Sequence, residues 1–368
     1  MRAVISCGGT AGHINPAIAI ADIIRHNESR AEILFTGTPQ GMENELVARA
    51  GYRLAPIRAY GLSPHPVALA RALWYAAVSP YAAKTILRDF APDVVIGTGG
   101  YACYPTLRAA AALGIPTVLH ESNAVPGKAI LRLQNRVDRI LLNFEEARAF
   151  FGNRAGITVT GNPLRRGFVN ADPAAARRRL GVRPDQPLIL SFGGSLGAPA
   201  VNRAALYLMK ALCDTGAVFY HSGGKRYYDE CMKEAGDLDL QRCRILPYID
   251  NMPEVMAAAD LVLCRAGAMT ISELALAGKP AILIPSPYVA ANHQYKNARA
   301  LADAGAAFLI EENEAGSPKT ADIARRLLQD RALRQKTSEA IARFAHPNAD
   351  RLILRAIREA CSEARRKI

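Results

Sequence analysis

His13 stands in the stretch "CGGTAGHINPAIAIAD", residues 7–22, directly after the apolar run Ala3-Val4-Ile5-Ser6. An imidazole titrates near neutrality when unperturbed, so a histidine held beside a hydroxyl is a natural acceptor for its proton. The glycines ahead of it permit backbone angles and close approaches that side chains forbid, which suits a backbone laid against a ligand. A second such device is "CRAGAMTISELALAGKPAILIP", residues 264–285. There a strand is expected to end at Cys264 and a helix to begin near Ala268, its first amides and its dipole aimed at an anion such as a phosphate. Glu273, three residues after Thr270, falls on the same helical face one turn further in, where a carboxylate can accept two hydrogen bonds from a ribose diol. His293, Gln294 and Asn297 form a hydrogen-bonding cluster suited to sugar hydroxyls. Arg165, in "TGNPLRRGF", carries a planar fork of donors that fits a phosphate, whereas Arg166 and the run 177–179 read as solvated.

Two further stretches have competing readings. Gly97, Gly99 and Ala102 in "VIGTGGYA", with Glu121 about 20 residues on, fit the dinucleotide fingerprint of a nicotinamide or flavin enzyme. That fingerprint belongs to the first crossover of a domain, which here carries glycines at 8, 9 and 12 instead, and the oxidoreductase reading is set aside on that ground. Residues 69–90 combine Leu69, Leu73, Trp74 and Tyr81 with Arg71, Lys84 and Arg88. They suit a core-facing helix and equally a helix pressed into an anionic headgroup layer.

The elements that must position these groups follow from the apolar pattern. Short runs, "AVIS", "AEILFTG", "DVVIGTGG", "PTVLHES", "RILLNF" and "ITVTGNP", alternate with helical stretches. Strands buried on both faces read this way, so a parallel sheet covered by helices is expected. After a polar, arginine-rich segment a second series begins: "LILSFGG", "AVFYHSGG", "CRILPYI", "LVLCRAG", "PAILIPS" and "AAFLI". The prediction is two α/β domains, 1–163 and 188–347, joined by a linker at 164–187, with a last helix at 348–368 packing back on the first. "ISCGGTAGHINPAIA" and "LSFGGSLGAPAVNRA" place the same strand, glycine turn and helix at the head of each domain, which points to two similar domains facing across a cleft.

Composition bounds the partners. The 368 residues carry 46 basic and 33 acidic side chains, a formal charge of +13, so an anionic partner is expected: nucleic acid, anionic lipid or a phosphorylated substrate. Seven cysteines without C-x-x-C spacing read as reduced thiols rather than a zinc site or a disulfide framework. No signal peptide is expected at the N-terminus. Arg71 and Lys84 enclose only twelve uncharged residues, short of the ~20 that span a bilayer, so any membrane contact is expected to be peripheral.

"GGTAGHINPA", "GTGGYACYP", "HESNAVPG", "TGNPLR", "FGGSLGA", "PYIDNM", "CRAGAMTISELALAGKPAILIP" and "HQYKNA", in this order from residue 1 to at least 310, resemble the MurG family of bacterial peptidoglycan N-acetylglucosaminyltransferases. The resemblance implies the GT-B fold and UDP-N-acetylglucosamine as donor. It implies a lipid-linked muramoyl-pentapeptide as acceptor, no cofactor, no metal and no nucleic-acid partner. It places the enzyme peripherally on the cytoplasmic face of the cell membrane, against an anionic leaflet. Carried over position by position, it assigns the donor to Ser195, to Ile249 at the uracil, to Ala268, Met269 and Thr270 at the pyrophosphate, to Ile271 and Ser272 beside them, and to Glu273 at the ribose. Gln294, with His293 beside it, would hold the sugar. Thr10, Ala11, Gly12 and His13 would approach the reacting centre, with Asn123 near the sugar and Arg165 at the domain junction. Gly99, Gly100 and Tyr101 would line the acceptor side. Two departures stand out: Ala11 replaces a glycine of the first loop, and Ser122 replaces the glutamine of H-E-Q-N. Another GT-B enzyme with a different acceptor, or a non-catalytic nucleotide-sugar sensor, would share much of this pattern.

Overall fold

The computed structural model describes residues 1–61, 65–164, 166–169, 171–194, 196–289 and 292–366, with backbone only at 166, 169 and 365. The chain divides into two compact units, Met1–Leu164 with His346–Ile368, and Arg165–Ala345.

In the first unit the strands are β1 (Arg2–Ser6), β2 (Glu32–Gly37), β3 (Arg53–Pro56), β4 (Val94–Gly97), β5 (Thr117–Glu121), β6 (Arg139–Leu142) and β7 (Ile157–Val159). Between them run α1 (Ala11–Asn27), α2 (Glu43–Arg49), α3 (Pro66–Phe90), α4 (Cys103–Ala112) and α5 (Lys128–Leu133). All pairings are parallel, in the order β3-β2-β1-β4-β5-β6-β7. The order reverses between β1 and β4, and a parallel α/β sheet offers its ligand crevice where the strand ends diverge at such a point. Ala3, Val4, Ile5, Val94, Val95 and Ile96 are fully buried, which accounts for their uninterrupted apolar runs. On α1 the buried positions Ile14, Ala17, Ile20, Ala21 and Ile24 recur at helical spacing and face the sheet.

The second unit opens with α6 (Arg166–Val169) and α7 (Pro173–Leu180) and then repeats the device: β8 (Leu188–Phe192), α8 (Pro199–Ala211), β9 (Val218–Ser222), α9 (Tyr228–Ala235), β10 (Cys243–Leu246), α10 (Met252–Ala258), β11 (Leu261–Cys264), α11 (Ala268–Ala277), β12 (Ala281–Leu283), α12 (His293–Asp303), β13 (Phe308–Leu309), α13 (Pro318–Gln329) and α14 (Arg331–Ala342). Its order, β10-β9-β8-β11-β12-β13, again reverses beside the first strand, between β8 and β11.

Two expectations need correction. Residues 164–187 are not a bare linker, because α6 and α7 pack against α10 within the second unit. Nor is Arg177 solvated. It donates to the carbonyls of Ala258 (2.8 Å), Arg183 (2.9 Å) and Gln186, and pairs with Asp260 at 3.1 Å. Asp260 in turn accepts the Leu188 amide at 2.9 Å, so the arginine ties the entry segment to the first strand of its unit. Beyond Ala345 the chain enters α15 (Ala349–Arg365), whose Ala349, Ile353, Ala356, Ile357 and Ala360 join the core formed by α1 and the first sheet. Arg358 to Glu28, and Arg139 to Glu363, fasten it at the surface.

Candidate active site

In the first unit the candidate residues follow the C-terminal ends of β1, β4 and β5. Thr10 is the N-cap of α1 and shares a hydrogen bond with Nδ1 of His13 at 3.2 Å. The Thr98 hydroxyl donates to the His13 carbonyl at 2.6 Å, pinning the first helical turn to the β4 turn. That turn carries Gly99 at φ +102, where a Cβ would lie 2.7 Å from Cδ2 of His13; the glycine is what lets the imidazole sit against the backbone. Gly8 and Gly100 are likewise face to face, a Cβ at Gly100 falling 2.1 Å from the Gly8 carbonyl oxygen. Ala11, the departure from the family loop, is the first residue of α1 and is not among the non-glycine residues with positive φ, which are Ala91 and Asn292. Its methyl therefore meets no left-handed backbone strain.

Tyr101 covers this turn, its Cε1 lying 3.1 Å from where a Gly9 Cβ would be. Burial, then the negative charge of Glu43, push its phenol above the usual range against an opposing hydrogen bond with Thr38. Asn123 is fixed through Glu121, which is buried and accepts the Asn123 amide (2.9 Å), the Asn123 side-chain amide (3.0 Å) and the Gly127 amide (2.8 Å). Those three bonds shape the loop that presents Asn123. They also close the dinucleotide reading, because the acid it needs for a ribose lies beneath its own loop, and burial raises its pKa. Ser122 is buried, its hydroxyl 3.5 Å from Nδ1 of His120.

In the second unit the candidates follow β10, β11 and β12, on the same edge of their sheet. The N-cap of α11 is Gly267, which has no side chain to cap the helix, so the first turn opens toward the end of β11 without one. Met269, Thr270 and Glu273 are half-exposed on one face. Ile271 is buried, and the buried Ser272 donates its hydroxyl back to the Ala268 carbonyl at 3.1 Å, so what these two offer a phosphate is backbone. Ile249 is also buried, which leaves any contact with a base to its main chain, while neighbouring Tyr248 is exposed. Asn292, at φ +51, caps α12 and sets His293 and Gln294 at its start. The Gln294 side-chain carbonyl accepts the Ser286 amide at 2.9 Å, which turns its NH2 group toward donating. Asn297, grouped with them by sequence, is fully buried and donates to the Ala266 carbonyl at 3.4 Å; it braces the loop before α11. Arg165 and Ser195 lie outside the described residues.

Sequence reasoning missed Glu43, a carboxylate with no exposed surface under the first glycine turn. The available signal was the pair of glycines that precede it in "GTPQGMENE".

Two Rossmann-like units, each gathering polar groups and open turns where its strand order reverses, are the architecture of the GT-B class. Residues 3–142 match the glycosyltransferase family 28 N-terminal domain and residues 188–352 the glycosyltransferase family 28 C-terminal domain. The chain is 44% identical over 317 residues to the UDP-N-acetylglucosamine–N-acetylmuramyl-(pentapeptide) pyrophosphoryl-undecaprenol N-acetylglucosamine transferase of Acetivibrio thermocellus, covering 85% of each chain. It is 43% identical over 323 residues to the protein of the same name from a Thermoanaerobacter species, covering 87% of this chain and 88% of the relative. Among solved structures, Acinetobacter baumannii MurG superposes with a TM-score of 0.77 at 26% identity, over 97% of this chain and 99% of that one. The chain belongs to the MurG family of N-acetylglucosaminyltransferases.

Proposed function

We propose that this protein transfers N-acetylglucosamine from UDP-N-acetylglucosamine to the 4-hydroxyl of the muramoyl sugar in undecaprenyl-pyrophosphoryl-muramoyl-pentapeptide, converting lipid I to lipid II in peptidoglycan synthesis. The observation that carries this reading is the placement of His13, held by Thr10 and packed on Gly99, at the switch point of the first sheet. An α-linked donor giving a β-linked product calls for one in-line displacement, in which a base activates the hydroxyl on the face opposite the leaving group. His13 takes that proton. The departing UDP gains charge on its pyrophosphate, met by the first turn of α11 and by Arg165; a helix start contributes about 0.3–1 kcal/mol per nearby charge. Glu273 holds the ribose and Gln294 the sugar. Because these groups neutralise the leaving group, EDTA is expected to leave turnover largely intact, and a strict Mg²⁺ requirement for transfer would overturn that part. The deciding assay is UDP release from UDP-N-acetylglucosamine with and without a lipid I analogue. Release only with the analogue is expected; release with unrelated lipid or natural-product acceptors alone would move the protein to another GT-B activity, and binding without release to a sensor.

The same reading seats the first unit on the anionic cytoplasmic leaflet. Among the described residues no helix is long and apolar enough to cross a membrane. What supports surface docking is α3, which exposes Val67, Leu73, Trp74 and Tyr81, with 65% of Trp74 open to solvent. Beside Tyr81 lies a pocket of about 430 Å³ where Lys84, Arg108 and Arg136 converge over Ala77 and Pro80, a cationic seat for lipid phosphates. Sedimentation with phosphatidylglycerol liposomes is expected to fall at least fivefold in Trp74→Ser/Lys84→Glu, and unchanged binding would remove the patch from the account.

A further inference from the structure

Glu43 opens α2, yet its side chain turns inward beneath the catalytic edge of the first sheet. One carboxylate oxygen accepts both the amide and the hydroxyl of Thr38, each at 2.7 Å, and the other faces the Gly9 amide at 3.4 Å. A cradle of glycines makes room for it. A Cβ at Gly8 would lie 2.7 Å from Oε1, one at Gly37 2.6 Å from Cγ, and one at Gly41 2.2 Å from Oε2. A buried carboxyl group needs hydrogen-bond donors in place of water, and here they come from the ends of β1 and β2. The Tyr101 ring lies over Gly9, its Cε1 3.1 Å from where a Gly9 Cβ would be, which brings the β4 turn into the same network.

We propose that Glu43 is a positioning residue for glycosyl transfer: it holds the Gly8-Gly9 turn, and with it the Tyr101 ring packed on Gly9, so that Thr10 and His13 meet the acceptor hydroxyl in register. This rests on the assignment of the first unit to the acceptor and of His13 to the reacting centre. Glu43 touches no substrate. Its removal therefore acts on the acceptor half of the reaction and leaves the donor site in the second unit alone.

Glu43→Gln keeps the volume but sets an amide NH2 against a backbone donor. In the full-length enzyme it is expected to lower kcat at least tenfold with lipid I analogue, with KM for UDP-N-acetylglucosamine within twofold of wild type. A purely structural role would instead lower the folded fraction and leave the kcat of the folded enzyme unchanged. A second readout is independent of turnover. With ring-labelled tyrosine, the Tyr101 resonance, assigned by its loss in Tyr101→Phe, is expected to titrate at lower pH in Glu43→Gln, because the charge that disfavours the phenolate has gone. Should Glu43→Gln fold poorly, Thr38→Val, which deletes the hydroxyl that donates to the Glu43 carboxylate, is expected to lower kcat at least threefold with the same unchanged donor KM. Retention of kcat within twofold by the folded variants, or a rise in donor KM matching the loss of kcat, overturns the proposal. Absence of transfer by the wild-type protein would instead overturn the functional assignment beneath it.

Discussion

His13 and Gly99 are packed so closely that they make the role of the histidine testable without deleting it. Gly99→Ala forces a methyl to within 2.7 Å of Cδ2 at a backbone angle that alanine resists, so the ring must turn away. We expect kcat to drop at least tenfold while UDP affinity, measured by calorimetry, stays within twofold; His13→Ala is expected to abolish transfer with the same sparing of UDP. Normal turnover in His13→Ala would remove it as the base. Ala11→Gly, restoring the family residue, should change activity less than twofold because Ala11 already lies in helical backbone. His13 was legible in the sequence, since a histidine after a glycine turn is a local pattern. Glu43 and Glu121 were not. In sequence each is an acid near the start of a helix or the end of a strand; their donors lie mostly within six residues, but their burial comes from the packing of the whole unit around them.

At the scale of elements, the second unit depends on a side chain that looked like surface charge. Arg177 has 15% of its side chain exposed and satisfies three carbonyls and Asp260, binding α7 to the ends of α10 and β8. Hydrogen bonds from a charged donor contribute about 1.5–3 kcal/mol each when lost, so Arg177→Ala should cost the second unit about 3 kcal/mol, read as a lower urea midpoint at unchanged slope. A midpoint shift below that of Arg178→Ala would contradict this. A comparable device repairs α3. Pro80 has no amide to offer the Ala76 carbonyl, and Arg108 from α4 donates to it instead at 3.3 Å. The helix itself was legible from composition; the crossing of α4 that lets it carry an internal proline was not. α15 was legible as a helix by its apolar spacing, and Ile353→Ala there should cost about 2–5 kcal/mol, because the residue is fully buried against the first unit rather than free at a chain end.

For the whole molecule, one buried histidine in each unit sets a common dependence on pH. Burial lowers both His120 and His221 to about 4, against a hydrogen bond to Gly161 and to Ser191 respectively that favours the charged ring. Their folded pKa lies below the unfolded value of about 6.5, so the unfolded chain takes up protons first as pH falls. Both units are then expected to hold full stability above pH 7 and to lose it progressively between about 6.5 and 4. Thermal scans at pH 7.5 and 5 check this; His221→Gln should flatten the loss in the second unit, and equal slopes would refute the cause. Two α/β units, the order of their elements and the position of the glycine turn that follows the first strand of each were set by the sequence alone, because alternating buried strands and amphipathic helices impose local patterns of period and because glycines after a strand mark a tight turn. Tertiary structure alone decided that α6 and α7 are folded into the second unit, that Asn297 is buried and braces the loop before α11, and that Glu43 lies under the first turn. These depend on donors and acceptors more than thirty residues apart or on burial that a single segment cannot supply, and no window of the chain contains that information.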